Sequence, residues 1–188
     1  VFALTDGEVV DGILTRTRYN APGARVMGLT LEGKMAYLTK FQVQAGVTLQ
    51  QSHYSEPHVW NKEAPAVKKM MRTPNTYGYF TATYTPIKPL SIALSGTYTG
   101  SMLVPHEPVP GFLENPITVN TKDFFDIGLK AAYDFKLYKS MNLQVNAGVQ
   151  NIFNAYQNDF DKGADRDSGY IYGPSLPRSF FAGVKISY

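Results

Sequence analysis

The sequence contains no cysteine, so neither a disulfide framework nor a thiolate metal site can form in the chain. It also lacks any run of the roughly 20 apolar residues that a membrane-spanning helix needs. No charge dominates, since 18 Lys and Arg are scattered among 15 Asp and Glu, which argues against a nucleic-acid partner. The first residues have neither a starting Met nor a signal-peptide profile. A hydrophobic content of 44% nevertheless excludes a disordered tail.

Alternation of apolar and polar residues is the strongest pattern that is present. Odd positions from Phe41 to Leu49 are apolar, whereas the even positions between them are Gln, Gly or Thr. Residues 142–150 repeat the pattern, and weaker copies lie at 27–31, 76–85, 90–100, 125–133 and 178–188. A period of two residues is typical of amphipathic β-strands. The sequence therefore predicts an antiparallel all-β fold with seven strands and no helix.

The predicted links between these strands alternate strictly in length. Short links are expected at 33–38, 86–89 and 135–141, and long ones at 55–75, 102–121 and 154–177. Outer-membrane barrels have short periplasmic turns and long outer loops, whereas sandwiches usually have short links at both ends. Strands of roughly ten residues also match a tilted crossing of the membrane. The pattern favours an up-and-down transmembrane β-barrel.

One parity of each predicted strand forms the lipid-facing row of such a barrel. The expected row comprises Met27, Leu29, Leu31, Phe41, Val43, Ala45, Val47, Leu49, Leu90, Ile92, Leu94, Ile127, Leu129, Ala131, Leu143, Val145, Ala147, Val149, Phe180, Ala182, Val184 and Ile186. Seven strands are fewer than the roughly eight of the smallest barrels, and the chain enters through an expected outer loop at 1–23. We therefore expect residues 1–188 to supply about seven or eight C-terminal strands of a larger barrel.

Two segments carry a resemblance to a known family. The stretch from Gly148 to Tyr156, GVQNIFNAY, resembles the penultimate-strand signature of TonB-dependent outer-membrane receptors, V-x-N-L-F-D/N followed by Tyr. The stretch from Pro177 to Tyr188, PRSFFAGVKISY, resembles their last strand. Residues 20–33 and 72–86 are also similar to the family, and the stretch 157–174 resembles versions from Bacteroidetes. The resemblance thus covers nearly the whole chain.

The resemblance implies a barrel of about 22 strands in the Gram-negative outer membrane. Such receptors are powered by TonB through an N-terminal plug and Ton box, which this chain lacks together with the other strands. They import an iron chelate such as a siderophore, cobalamin or an oligosaccharide, of which the iron chelate is the first expectation. Further expected partners are lipid, lipopolysaccharide, a surface lipoprotein and the barrel-assembly machinery. The last would read an apolar row ending in an aromatic residue, formed here by Phe180, Val184, Ile186 and Tyr188.

Candidate ligand residues lie in the predicted long loops or, for His53, just before one of them. They are His53, His58, Trp60, Arg72, His106, Asp159, Asp165, Arg166 and Asp167. The histidines could contact an iron chelate or haem, although solvated loop histidines are the simpler interpretation. Four aspartates at 159, 161, 165 and 167 offer oxygen ligands of the type calcium prefers, but they lack the EF-hand order. A solvated or Arg166-paired acidic loop is therefore the expected reading.

The sequence contains no nucleophile elbow, zinc-protease motif or phosphate loop, so we expect neither an enzyme nor a bound cofactor. Alternatives to a nutrient receptor are a non-transport surface barrel for adhesion or scaffolding and a soluble β-sandwich binding domain. An omptin-like surface protease is a more distant alternative.

Overall fold

The computed structural model describes residues 2–4, 8–15, 17–20, 22–138 and 140–188. Residues 1, 5–7, 16 and 21 of the expected entry loop, and residue 139 of one short link, lie outside the described part. Within these ranges the chain contains β-strands and no helix, so the all-β prediction is confirmed. Accordingly, no helix in the described ranges is long and apolar enough to cross a membrane.

Fourteen strands occur in the described residues. In chain order they are β1 (Phe2–Leu4), β2 (Glu8–Val10), β3 (Ile13–Thr15), β4 (Arg18–Asn20), β5 (Ala24–Tyr37), β6 (Phe41–His58), β7 (Val67–Lys69), β8 (Thr76–Ile87), β9 (Leu90–Thr99), β10 (Leu103–His106), β11 (Ile117–Asn120), β12 (Phe124–Lys136), β13 (Asn142–Gln150) and β14 (Ser179–Ser187).

The main sheet is an antiparallel meander in the order β5, β6, β8, β9, β12, β13, β14, with β7 added beside the end of β6. Its seven long strands are those that the alternation predicts, and their links are short at one end and long at the other. Strands β5 and β14 are the two edges and do not pair with each other among the described residues. The observed architecture is thus an open antiparallel sheet.

The start of the chain differs from the outer loop that we expected at 1–23. Strand β1 pairs with β4 and β2 pairs with β3, which makes nested antiparallel hairpins. Asp11 and Gly12 connect β2 to β3 with φ angles of 52° and 79°. Two positive φ angles in a two-residue connection suit the twist of a hairpin, and Asp-Gly adopts them readily. The described part of this segment therefore contains short strands, and its position as an outer loop stays a prediction.

Strand register places all the apolar rows on one side of the sheet. Leu29 lies opposite Leu49, Leu129 lies opposite Leu94 and Val149, and Val145 lies opposite Val184. Strand β8 adds Gly78, Phe80, Ala82 and Tyr84 to the same side. The predicted parity is confirmed as one continuous face, which we call the apolar face.

Nothing among the described residues covers the apolar face. In the middle strands, Val47 is 41% exposed, Leu129 39% and Val145 42%. Residues in a packed sheet interior are normally close to fully buried. Burial of this face therefore depends on whatever surrounds the sheet.

The opposite, polar face is tied together by side-chain hydrogen bonds between strands. The Tyr79 hydroxyl donates to Glu32 Oε1 at 3.1 Å and accepts from Gln44 Nε2 at 3.2 Å, which links β5, β6 and β8. Gln144 Nε2 donates to Asp134 Oδ1 at 2.9 Å between β13 and β12. Such cross-strand pairs stabilise a sheet locally. This face therefore satisfies many of its own polar groups.

The hydrophobic core lies in the long links rather than on the sheet. Val104 is fully buried and packs with Tyr170 and Tyr172, which are 3% and 7% exposed. Met102, Val119 and Phe124 surround these three residues. The core thus joins the β10–β11 hairpin, in the link 100–123, to the link 151–178 at the long-loop end of the sheet.

Candidate functional site

Strand β10 positions the first member of a polar cluster at the long-loop end. Pairing of β10 with β11 places His106 opposite Ile117, and Val104 on the same strand enters the core. Residues from the link 151–178 then pack against His106. We call this group, His106, Gln157, Asp159, Asp161, Asp167, Tyr170 and Tyr172, the loop cluster.

A buried His–Asp pair forms the centre of the loop cluster. His106 Nε2 and Asp161 Oδ2 lie 2.8 Å apart, and their side chains are 7% and 2% exposed. The His106 ring stacks on Tyr170 with centroids 3.8 Å apart and planes 2° from parallel. Asp161 Oδ2 also accepts a hydrogen bond from the Asp167 backbone N–H at 3.2 Å. Burial of a carboxylate is costly without such partners, so these contacts hold the pair together.

Asp161 still has one unsatisfied atom. Its Oδ1 is buried and has no hydrogen-bond partner among the residues that the structure describes. A buried, unsatisfied acceptor costs free energy comparable to a lost hydrogen bond. One buried acceptor at the centre of the loop cluster, Asp161 Oδ1, therefore has no hydrogen bond within the described residues.

Two tyrosine hydroxyls donate to one carboxylate beside this pair. Tyr170 donates to Asp159 Oδ2 at 2.9 Å, and Tyr172 donates to Asp159 Oδ1 at 2.5 Å. Burial and the bond to Asp159 raise the pKa of Tyr170 to about 12. The same two causes raise the pKa of Tyr172 above its ordinary value. Burial alone would raise the pKa of Asp159, but the bonds from Tyr172, Tyr170 and Gln157 outweigh it and lower that pKa.

Backbone contacts fix the remaining loop geometry. Gln157 donates to the Tyr170 carbonyl at 3.1 Å and accepts from the Tyr172 N–H at 2.9 Å. Asp167 accepts from the Glu107 N–H at 2.9 Å and from the Gly169 N–H at 2.7 Å. The bond from Glu107 connects the two links directly, and the other three hold the link 151–178 in place, so the loop cluster is a folded unit.

Arg72 ties a third link to the same unit. Its backbone N–H donates to the Leu103 carbonyl at 2.7 Å. Its guanidinium donates to the Ile171 carbonyl at 3.0 Å and also to the Gly169 carbonyl. Charge-assisted bonds of this kind are stronger than neutral ones. All three long links therefore meet at the loop cluster.

A cavity of about 450 Å³ borders the loop cluster. Val109, Pro110 and the well-exposed Phe112 line one part of it. Residues 158–165, which include Asp159 and Asp165, line the rest. The cavity combines apolar rings with carboxylates, which suits an organic ligand with donor groups better than an anion. No group of three His, Asp or Glu in the described ranges is arranged to hold a metal ion.

A second, smaller recess lies on the polar face of the sheet. It measures about 300 Å³, and the floor is formed by Ser95, Thr97, Asp126, Gly128 and Gln150. Ser175 and Leu176 of the last long link lie over it. Small side chains at Ser95 and Gly128 leave this space open between β9, β12 and β13. Hydroxyl, amide and carboxylate groups make the recess polar.

The structure brings together some of the predicted ligand residues and separates others. His106, Asp159 and Asp167 belong to the loop cluster, Arg72 bonds to its backbone, and Asp165 lines the cavity. His53 pairs with Lys69 through the β6–β7 ladder. The His58 ring contacts Tyr54 with centroids 4.7 Å apart and planes tilted by 39°. Trp60 follows β6, and its indole N–H is buried and has no hydrogen-bond partner in the described part. His53 and His58 lie at the end of β6 and Trp60 on the link that follows it, so all three lie outside the loop cluster.

The expectation of solvated side chains fails at two of these residues. His106 is 5% exposed and Asp161 is 8% exposed, so neither is solvated. Arg166 donates to the Gly163 carbonyl at 3.0 Å, and no ion pair between it and an aspartate occurs in the described residues. Packing against Tyr170 removes His106 from water, and Asp161 and Asp167 accept hydrogen bonds from backbone donors. Asp161 is therefore a buried, hydrogen-bonded residue, whereas Asp159, Asp165 and Arg166 are exposed, as the solvated alternative predicts.

Sequence reasoning missed Gln157, Tyr170 and Tyr172 as members of the site. The available signal was the pair of tyrosines two residues apart in a Gly-rich segment that follows four alternating aspartates. Residues two apart in an extended segment point the same way, so both hydroxyls can reach one carboxylate.

Comparison with known proteins adds no assignment to this geometry. No family model matches the sequence, and no curated protein matches it either.

Proposed function

We propose that this chain is part of the transmembrane barrel of a TonB-dependent outer-membrane receptor that imports a scarce nutrient, with an iron chelate as the first candidate. Residues 1–188 would form a C-terminal segment of the barrel wall, and the plug and remaining strands would belong to the rest of the receptor. Cobalamin and oligosaccharides are alternative cargoes. The signature-like segments 148–156 and 177–188 support this family assignment.

The apolar face is the observation that carries the proposal. Seven adjacent strands expose it continuously while the other face is hydrogen-bonded and polar. Water penalises such a face, whereas lipid solvates it at no cost. A sheet of a soluble sandwich would cover this face with a second layer. A bilayer supplies that cover without additional protein.

The positions of the long links support ligand entry from the long-loop end of the sheet. The loop cluster, its 450 Å³ cavity and the polar recess all lie toward the long-loop end. Long loops face the outside in outer-membrane barrels. Nutrient ligands would therefore meet the cavity first and the polar face afterwards.

Labelling of single cysteines tests the membrane part of the proposal, because the chain has none of its own. Val145→Cys should react in isolated outer membranes only with a lipid-soluble maleimide. Asn146→Cys, its neighbour on the polar face, should react with a water-soluble one. Equal reactivity of the two positions, or recovery of the protein in the soluble fraction, would contradict the proposal.

Uptake measurements test the transport part. Deletion of the gene from its host should reduce accumulation of a radiolabelled iron chelate, and deletion of TonB should reduce it equally. Labelled cobalamin and an oligosaccharide serve as parallel cargoes. Correct cysteine labelling without any change in uptake of the three would instead identify a surface barrel for adhesion or scaffolding.

A further inference from the structure

Alternation alone leaves the pairing of β13 with β14 ambiguous. A slip of one residue would move the apolar row of β14 to the polar face, but a slip of two would keep every apolar side chain in place. The link between these strands spans residues 151–178, which is too long for a tight turn to fix the register. The observed pairing, with Gln144 opposite Lys185, therefore needs a device other than the alternation.

Asn151 forms the first part of such a device. Its side chain donates to the carbonyls of Ala155 and Leu176, both at 2.9 Å, and accepts from the Ala155 N–H at 2.7 Å. The residue is 1% exposed and has a φ of 49°, in the left-handed region. Asn tolerates that region better than most residues. One buried amide thus joins the beginning of the link to its end.

Asn154 repeats this connection three residues later. Its Oδ1 accepts a hydrogen bond from the Arg178 backbone N–H at 2.9 Å, directly before β14 begins. Its φ is 52°. Asn151 and Asn154 therefore hold Leu176 and Arg178, two residues apart on the strand side of the link. Their bonds depend on the position of individual backbone atoms, unlike apolar contacts, which a two-residue slip would restore.

In the observed register, the Phe181 ring of β14 lies over Gly148 of β13, where the missing side chain leaves a space that we call the Gly148 notch. A Cβ on Gly148 would lie 2.4 Å from Phe181 Cζ and 2.5 Å from the Leu129 carbonyl oxygen. Phe181 lies opposite Gly148 in the ladder, and a two-residue slip would place it opposite Gln150 or Asn146. Either side chain would occupy the space that the ring now uses. The notch therefore favours the same register as the asparagines.

We propose that Asn151 and Asn154 form a clamp that selects the register of β14 on β13, with the Gly148 notch as its second element. The first signature-like segment, 148–156, then supplies the amide groups, and the backbone that they bind lies just before and at the start of the second, 177–188, at Leu176 and Arg178. By holding Leu176, the clamp also keeps this residue over the polar recess. The clamp acts on pairing and does not depend on which nutrient is transported.

Disulfide trapping in the full-length protein tests the clamp. Gln144→Cys combined with Lys185→Cys reports the observed register, whereas Gln144→Cys combined with Gly183→Cys or Ser187→Cys reports slips of two residues in either direction. Directly opposed residues lie within disulfide range, but pairs displaced by two lie about 7 Å apart or more. Yields are measured only on folded protein separated by size-exclusion chromatography.

In the native background we expect only the Gln144–Lys185 disulfide. The double variant Asn151→Gly, Asn154→Gly keeps the left-handed backbone, which Gly adopts readily, but lacks the side-chain hydrogen bonds. It should lower the ratio of the Gln144–Lys185 disulfide to the slipped disulfides roughly tenfold. Asn158→Ala, an exposed asparagine in the same link, should leave the ratio unchanged.

An unchanged ratio in the double variant would overturn the clamp. If the double variant yields no folded protein, Asn154→Gly alone carries the comparison, because it leaves the Asn151 bonds in place. A smaller fall in the ratio is then expected, and a native ratio in that single variant would likewise overturn the proposal.

Discussion

The main sheet and the loop cluster obtain their order in opposite ways. The sheet has regular pairing over seven strands, yet Val145 on β13, which is paired on both sides, is 42% exposed. The loop cluster has little regular structure, yet His106, Asp161 and Tyr170 within it are buried. Regular hydrogen bonding and burial, which coincide in most soluble domains, are separated here.

This separation indicates what each region needs from its surroundings. The loop cluster buries its own rings and satisfies most of its polar groups, so its order depends on internal contacts. The inner strands of the sheet satisfy their backbone by pairing with their neighbours, but the apolar face must be covered from outside. A change of solvent from water to lipid should therefore affect the sheet strongly and the loop cluster little.

The largest expected effect lies in the loop cluster. His106→Ala leaves the Asp161 carboxylate buried without its ring partner, which should reduce stability of the cluster by about 3 to 5 kcal/mol. Hydrogen exchange should speed up at amides 157–172 while amides of β8 and β9 remain protected. His53→Ala, an exposed histidine of β6, is the matched control and should change neither region. Equal acceleration in the sheet would show that the two regions are not independent.

The next effect concerns the apolar face. Val145→Arg should cost about 2 to 4 kcal/mol of stability in a bilayer, because an arginine would then face lipid near the middle of the strand. Asn146→Arg points to the polar face and should cost about 1 kcal/mol, the value of its lost bond to the Gly183 carbonyl. Urea titration of the protein in lipid vesicles measures both. Equal costs would refute the assignment of the two faces.

Two strand glycines provide a smaller comparison within the sheet. A Cβ on Gly78 would lie 2.6 Å from the Gly46 carbonyl oxygen, and this backbone atom cannot move aside easily. Gly78→Ala should therefore cost about 1 to 3 kcal/mol. Gly33→Ala meets no atom within 4 Å and should be neutral or slightly stabilising. Denaturation midpoints of the two variants measure these changes in stability. A destabilised Gly33→Ala variant would contradict the argument that only a close backbone contact makes a strand glycine necessary.

Whether the sequence predicts a region depends on how far apart in the chain the interacting residues lie. The strands from Phe41 and from Asn142 are predictable because alternation is a local property, and register then carries the apolar rows onto one face. The hairpin at Asp11-Gly12 was also local, but its turn signal was overlooked. Most of the sheet was therefore accessible to reasoning from periodicity.

The loop cluster could not be derived in the same way. His106 and Asp161 are 55 positions apart, and their contact depends on how two irregular links fold against each other. Composition marks both as polar loop residues, for which exposure is the ordinary expectation. Tyr170 stacks on His106 and shields the pair from water. No periodic pattern in the sequence predicts such a stacking contact. The site was thus predictable in its residue types and not in its geometry.

The smallest expected effect is the pH dependence of the loop cluster. Hydrogen bonds lower the pKa of Asp159, so its contribution to stability is present above the ordinary value of 3.8 and is lost as pH falls through the lower folded pKa. The pKa of Tyr170 is raised from 10.0 to about 12, so its contribution is complete below 10.0 and is lost as pH rises toward about 12. Between these windows the two groups add no pH dependence.

Asp159→Asn sharpens this last comparison, because it removes the charge that Tyr170 faces but leaves the ring in the core. Burial is the largest cause of the Tyr170 shift and the bond to Asp159 the second. The pKa of Tyr170 should therefore fall in the variant yet stay above 10.0. Alkaline titration of tyrosinate absorbance measures it, with Tyr170→Phe identifying the band that belongs to this residue. Tyr156→Phe, which removes an exposed tyrosine, is the control. A return of the Tyr170 pKa to 10.0 would mean that the carboxylate, and not the packed core, dominates the environment of the loop cluster.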